Sequence, residues 1–274
     1  MIDNAVSGGA KLVVADGYLF SQVVYEKQKE YPDVKFVVID AAPTDEESGD
    51  VKVAKNTVEV TFASEQAGYL AGYAAVKDGM SSLGYLGDSK MPLAMDYGYG
   101  FLQGADQAAG EQGKTVNIAY HYSNSKEDSE AVRNMAQKWY EGGTEVIFAC
   151  GNKVELPIVE AAEMTGKQVI GYETDKSKMS DTIVTSAVKD IGTALENVLD
   201  QYEDDAFPGG TTVEYNVGNN GIWLEMDNGK LKNFSKSDYN NIVKKLKNGD
   251  VSVKKYNSGD IASLGLTHVK VTEQ

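Results

Sequence analysis

The sequence predicts an α/β protein built on parallel sheets, and three observations predict it. Short, near-continuous apolar runs recur along the chain, each followed by a turn and an amphipathic stretch of helical period. The helical stretches are about 10 to 15 residues long, the length of a crossover that returns the chain to begin a parallel strand. The runs lack strict polar alternation, which fits strands buried on both faces.

Taken in order, Ile2, Ala5 and Val6 before Gly8-Gly9 form the tail of an amphipathic helix with a glycine stop. Lys11 to Asp16 is a strand. Asp16-Gly17 then turns into a helix through Val23, Val24 and Tyr31, closed by Pro32. Phe36-Val37-Val38-Ile39 is a strand ending at Asp40, and the acidic stretch with Gly49 between Pro43 and Asp50 is a surface loop. Thr57 to Phe62 alternates as a strand, and Ser64 caps an Ala- and Gly-rich helix from Glu65 to Lys77. The strand Leu83 to Leu86 leads to a helix around Tyr97 to Ala109, and Val116 to Tyr120 to a helix from about Asp128 to Tyr140. Val146 to Cys150 precedes a helix from about Val154 to Met164; Val169 to Tyr172 follows. Ile183-Val184-Thr185 leads to a helix from Ile191 to Tyr202. After Pro208-Gly209-Gly210 come a strand, Val213 to Val217, and a helix, Ser237 to Asn248, stopped by Gly249.

Composition narrows the function classes. With 274 residues, 42% hydrophobic and 24% charged, the chain is globular and long enough for one large domain or two lobes. The 26 basic and 41 acidic residues leave a net charge of −15, which repels phosphate backbones and anionic lipid and argues against nucleic acid as a partner. The single cysteine, Cys150, excludes an intramolecular disulfide and a Cys-rich zinc site. Two distant histidines, His121 and His268, show no metal-ligand spacing. No apolar run approaches the ~20 residues of a membrane span. The N-terminus lacks the basic start and apolar core of a secretory signal, which taken literally describes a cytoplasmic protein. A chain that opens in the tail of a helix suggests equally that something upstream is missing.

Parallel sheets carry ligands at the carboxyl ends of their strands. That rule selects Asp16-Gly17-Tyr18, Asp40-Ala41, Gly87-Asp88-Ser89, Gly151-Asn152 and Glu173-Thr174-Asp175. Each is also a plain turn sequence, but five acid- or amide-bearing ends in one chain describe a binding mouth. Tyr18 and Phe20 either offer a platform for a flat ligand or pack beneath their loop, and Trp223, after Asn219-Asn220-Gly221, lies in a loop that lines a cleft. Trp139 reads as core, and Cys150 as a small buried hydrophobe. Gly98-Tyr99-Gly100, at a helix start, lacks the third glycine of a dinucleotide fingerprint, and neither a Walker loop nor a G-x-S-x-G elbow occurs. No cofactor is expected. Glu173 and Asp175 suit acid–base work in principle, but carboxylates at a strand end more often hold sugar hydroxyls or cap a helix.

Several blocks together carry a family resemblance. Lys11 to Phe20, Tyr31-Pro32-Asp33-Val34-Lys35-Phe36-Val37-Val38-Ile39-Asp40, Phe62 to Gly72 with Glu65-Gln66-Ala67-Gly68-Tyr69-Leu70-Ala71-Gly72, Tyr97 to Ala105, Gly143 to Gly151, Ile170 to Asp175, Thr185 to Lys189 and Asn219-Asn220-Gly221 resemble the basic membrane protein family. These are substrate-binding lipoproteins of ABC importers, similar to the purine nucleoside receptor A type. The resemblance implies a type I periplasmic-binding fold: two Rossmann-like lobes joined by three crossovers, here with the first strand missing. It places residues 1–62 and 190–207 in lobe one and residues 63–189 and 211–274 in lobe two. Family members stack a purine base between aromatics. They hold the ribose with an acid of a G-x-D-x-D motif and a lysine after the next strand, here Glu173, Asp175 and Lys189. With the strand-end residues, the expected ligand contacts are Asp16, Tyr18, Phe20, Ser89, Tyr122, Gly151, Asn152, Glu173, Asp175, Lys189 and Trp223.

The function so implied is capture of a small polar solute, a nucleoside, between two lobes and its delivery to ABC permease subunits without chemistry. The full-length form would sit at the cell surface or in the periplasm, held by a lipid anchor that this chain does not carry. The family also places a signal peptide, a lipid-modified cysteine, the first strand and most of two helices ahead of the point where this chain begins, so it reads as a truncated or internally initiated member. Glu173 stands where the family has Asp; Gly151-Asn152-Lys153 holds fewer glycines than the family loop. Ser123-Asn124-Ser125-Lys126-Glu127 lacks the family's stacking aromatic, leaving Tyr122 as the nearby ring. The alternatives are a sugar-type solute-binding protein, the ligand-sensing part of a transcriptional regulator, and an enzyme using Glu173 and Asp175.

Overall fold

The structure is a computed structural model and describes residues 1–123, 129–257 and 259–274. Its elements in chain order are α1 (Ile2–Ser7), β1 (Leu12–Asp16), α2 (Ser21–Glu30), β2 (Lys35–Ile39), β3 (Thr57–Phe62), α3 (Ser64–Lys77) and β4 (Ser82–Gly87). There follow α4 (Pro92–Glu111), β5 (Val116–Tyr122), α5 (Ser129–Glu141), β6 (Val146–Cys150), α6 (Asn152–Thr165), β7 (Gln168–Glu173) and β8 (Ile183–Lys189). The chain ends with α7 (Ile191–Glu203), β9 (Thr211–Tyr215), β10 (Ile222–Leu224), α8 (Lys236–Lys247) and β11 (Val269–Glu273). It divides into two compact units, residues 1–63 with 190–221 and residues 64–189 with 222–274, and passes between them three times.

The first unit is a parallel four-stranded sheet in the order β1-β2-β3-β9. Val37, Val38, Val58 and Val60 are fully buried, as the uninterrupted apolar runs require. Ile2, Ala15, Val24, Val34, Phe36 and Val38 form one cluster, so α1 and α2 share a core with the sheet. The Asn56 side-chain amide donates to the carbonyls of Gln28, Tyr31 and Val34, fixing the turn between α2 and β2 to the approach of β3. The placement of β9 corrects the expectation that everything after Gly210 lies in the second lobe. Val58 to Phe62 pair with Thr211 to Tyr215, and the Tyr215 hydroxyl meets Asn197 and Ala194 of α7. That pairing joins residues far apart in the chain, which a local pattern does not carry.

The second unit is a seven-stranded sheet in the order β10-β8-β7-β6-β4-β5-β11, parallel except for β10. Leu86, Trp139, Ile147, Ile158 and Val169 belong to the core under α5 and α6, where Trp139 was expected. On the other helix pair, α3 and α4 touch through glycine: a Cβ at Gly100 would lie 1.9 Å from the Glu65 carbonyl oxygen, and one at Gly72 2.1 Å from that of Phe101. The whole Gly98-Tyr99-Gly100 triplet is interior to α4, which begins at Pro92 rather than near Tyr97, so its glycines serve helix packing and not a phosphate loop. Trp223 lies in β10, opposite Val188 of β8, and not in a loop; the expectation is corrected because Gly221 ends the turn and the three residues after it pair at once. Residues 124–127 of the expected aromatic-poor loop and Asp128 of the expected helix start lie outside the described residues.

Candidate functional site

The central strands of the second unit run β5-β4-β6-β7-β8, so the order reverses where β4 meets β6. Crossovers from β4 and β6 leave in opposite directions at that point and open a crevice past the strand ends. Asp88 follows β4 there and Gly151 follows β6. The Asp88 N–H donates to the Cys150 carbonyl at 3.0 Å and the Ser123 hydroxyl to the Asp88 carbonyl at 3.1 Å, tying three strand ends together. Gly151 has φ +131°, and a Cβ there would fall 2.2 Å from the Asp88 carboxyl carbon. Only glycine lets the Asp88 side chain lie across this turn. Asn152, exposed, opens α6.

One strand further, Glu173 ends β7 with φ +69°. That left-handed conformation is unfavourable for a side-chain-bearing residue and is sustained here by specific bonding. Its Oε1 lies 2.7 Å from the Nζ of Lys189, the last residue of β8, whose side chain is 1% exposed. The resemblance thus pairs two residues that the fold does bring together. Asp175, exposed just beyond, accepts from the Ser177 N–H at 2.9 Å and the Asn228 amide at 3.0 Å. Burial works against its ionisation, but these bonds hold its carboxyl below the usual range. Behind the loop, Lys176 pairs with the buried Glu155 of α6 at 2.9 Å and its N–H donates to the Ser186 hydroxyl.

The remaining expected contacts distribute as follows. Tyr122 ends β5 and is buried, its hydroxyl 2.5 Å from that of Tyr120 and its ring edge-on to Tyr85. Ser89 is half-buried and donates to Asp88 Oδ1 at 3.0 Å, so it reaches the site through Asp88. Trp223, half-buried, lies beside the last residues of β8. In the first unit Asp16 and Tyr18 are exposed at the end of β1, whereas Phe20 packs against the α1–α2 core, the second of the two roles open to it. Cys150 is buried as expected, and burial pushes its thiol well above the ordinary range, away from nucleophilic use at neutral pH. Asp88 stood among the selected strand ends but not among the expected ligand contacts, and the Glu155–Lys176 pair was not singled out from sequence. The signal for Asp88 was its position as the first residue after the strand at the reversal.

Among the described residues no helix is long and apolar enough to cross a membrane, and no group of three His, Cys, Asp or Glu side chains is arranged to hold a metal.

The sequence profile of one family, described as Bmp, ABC transporter substrate-binding protein PnrA-like, matches residues 1–257. Basic membrane protein B of Borreliella afzelii is 30% identical over 83% of this chain and 66% of its own. The ABC transporter nucleoside-binding protein BmpA of Lactococcus lactis is 26% identical over 82% of this chain and 66% of its own. The chain therefore spans just under two thirds of the length of these relatives. Among solved structures, an ABC transporter solute-binding protein from Aeropyrum pernix superposes with a TM-score of 0.78 at 17% identity, over 96% of this chain and 81% of that one; it shows the shared fold. By the match of the family profile over residues 1–257, the chain belongs to the PnrA-like family of ABC transporter substrate-binding proteins.

Proposed function

We propose that this chain is the solute-binding part of an ABC importer, and that its solute is a nucleoside, held without chemical change. The observation that carries the reading is the Glu173–Lys189 pair, 2.7 Å apart at adjacent strand ends beside the sheet reversal. A carboxylate next to an ammonium offers an acceptor and a donor side by side, which matches a ribose diol whose hydroxyls both give and take hydrogen bonds. Tyr122, Asn152, Asp175 and Trp223 border the same row of strand ends and supply the polar and aromatic surround. The nucleoside-binding relative named above supports the ligand class. Delivery to permease subunits, an extracytoplasmic site of action and a lipid anchor on the full-length form belong to the same proposal and rest on family membership.

The test is calorimetric titration with inosine, guanosine, adenosine, cytidine and uridine, with ribose and free bases alongside. Binding of at least one nucleoside, weakened roughly tenfold or more by Lys189→Met, is the expected result. Binding of none of them overturns the nucleoside reading.

A further inference from the structure

We propose that Asp88 is a ligand-contacting residue that accepts a hydrogen bond from an N–H on the base of the bound nucleoside. This rests on the nucleoside reading above and adds the group that reads the base. Asp88 occupies the strand end at the sheet reversal, the position that an open parallel sheet gives its ligand. Its backbone is fixed on both sides, by Cys150 and by Ser123, so the carboxylate is held and does not swing with a loose loop. Ser89 donates to Oδ1, and Oδ2 lies over the Gly151 turn. The glycine at 151 keeps open the space that any other residue would fill.

A carboxylate only accepts, so the ligand must bring a donor. From Asp88 on β4 to Glu173 on β7 are two strand spacings, about 10 Å. A nucleoside bridges such a span from its ribose hydroxyls to the far edge of its base. The groups facing the carboxylate are Lys153 of α6, Cys150 of β6, and Tyr172 and Glu173 of β7. Burial, with a smaller contribution from Glu173, raises the Asp88 carboxyl above its ordinary range, against the opposing pull of Ser89 and Lys153. Protonation removes the charge and weakens the acceptor, so affinity should fall on acidification earlier than for an ordinary aspartate.

The experiment compares the wild-type chain with Asp88→Asn against the five nucleosides, at neutral pH and at successively more acid pH. The expected result is a roughly tenfold or greater loss in Asp88→Asn at neutral pH, with the acid-side decline of the wild type absent from the variant. A second measurement needs no variant: wild-type protein should bind 1-methylinosine or 1-methylguanosine roughly tenfold more weakly than the unmethylated parent, if that parent is the ligand. For adenosine or cytidine, the fully N-methylated amine serves the same purpose. Nucleoside binding that Asp88→Asn and N-methylation both leave within about twofold overturns the role of Asp88 and leaves the nucleoside reading standing. No binding to the wild type overturns both.

Discussion

Lys189 and Glu173 differ in how much water each can reach, and that difference sets what their removal does. The lysine side chain is 1% exposed and the glutamate side chain 22%. Glu173→Gln removes a carboxylate that pairs with a buried ammonium, whereas Lys189→Met leaves a carboxylate that solvent can partly hydrate. In urea unfolding, Glu173→Gln should lose about 3 kcal/mol and Lys189→Met clearly less. Equal losses would mean that the ion pair contributes nothing specific. Gly151→Ala is expected to abolish nucleoside binding, because both the φ of +131° and the Asp88 carboxylate exclude a methyl group. Glu173 and Asp175 were legible in the sequence because they end or follow an apolar run, whereas Lys189 was carried by the family resemblance, since the run read there stops at Thr185. Asp88 was visible as a strand end but not as the central one, since strand order, which makes it central, is a property of the assembled sheet. Trp223 was misplaced for a related reason: a strand of three residues is too short to show a period.

Between elements, the closest fit is that of α3 on α4. Gly100→Ala should destabilise the second unit by about 3 kcal/mol, since the added methyl meets a backbone carbonyl that cannot rotate away. Thermal or urea unfolding checks it. The far ends of the same helices meet at Glu111, which takes hydrogen bonds from Tyr73 at 2.8 Å and Gln107 at 3.1 Å and lies 2.6 Å from Lys77. Burial raises its carboxyl, but these partners outweigh it and hold the group at about 2 against an ordinary 4.5. A depressed folded-state value stabilises fully above the unfolded value and is lost as pH falls through the folded one. Acid titration of stability should therefore decline between about pH 4.5 and 2, and Glu111→Gln should flatten that limb by on the order of 2 kcal/mol after allowance for its partial exposure. Existence and type of most elements were readable from apolar runs and caps. The start of α4 was not, although Pro92 at its first turn is the kind of residue that marks a helix entry.

At the scale of the whole molecule, the net charge of −15 acts as a diffuse self-repulsion. Raising salt from about 10 mM to about 150 mM should raise the melting temperature, because the Debye length contracts to about 8 Å and like charges on separate elements cease to feel one another. A fall would show that screened ion pairs outweigh the repulsion. A bound nucleoside at 100 times its Kd should add about 2.7 kcal/mol. Membership of the two-lobed class was carried by sequence blocks spread along the chain. The affiliation of residues 211–221 was not, because β9 completes a sheet begun some 150 residues earlier.

The lone thiol gives this molecule an internal clock. Cys150 is the only cysteine, is buried, and adjoins the Gly151 turn at the sheet reversal. A thiol reagent can mark it only when the second unit opens, so the labelling rate of the unaltered chain counts openings of that unit alone, unconfused by events in the other. Occupancy of the adjoining crevice should slow that count, which turns a residue with no part in recognition into a reporter of it.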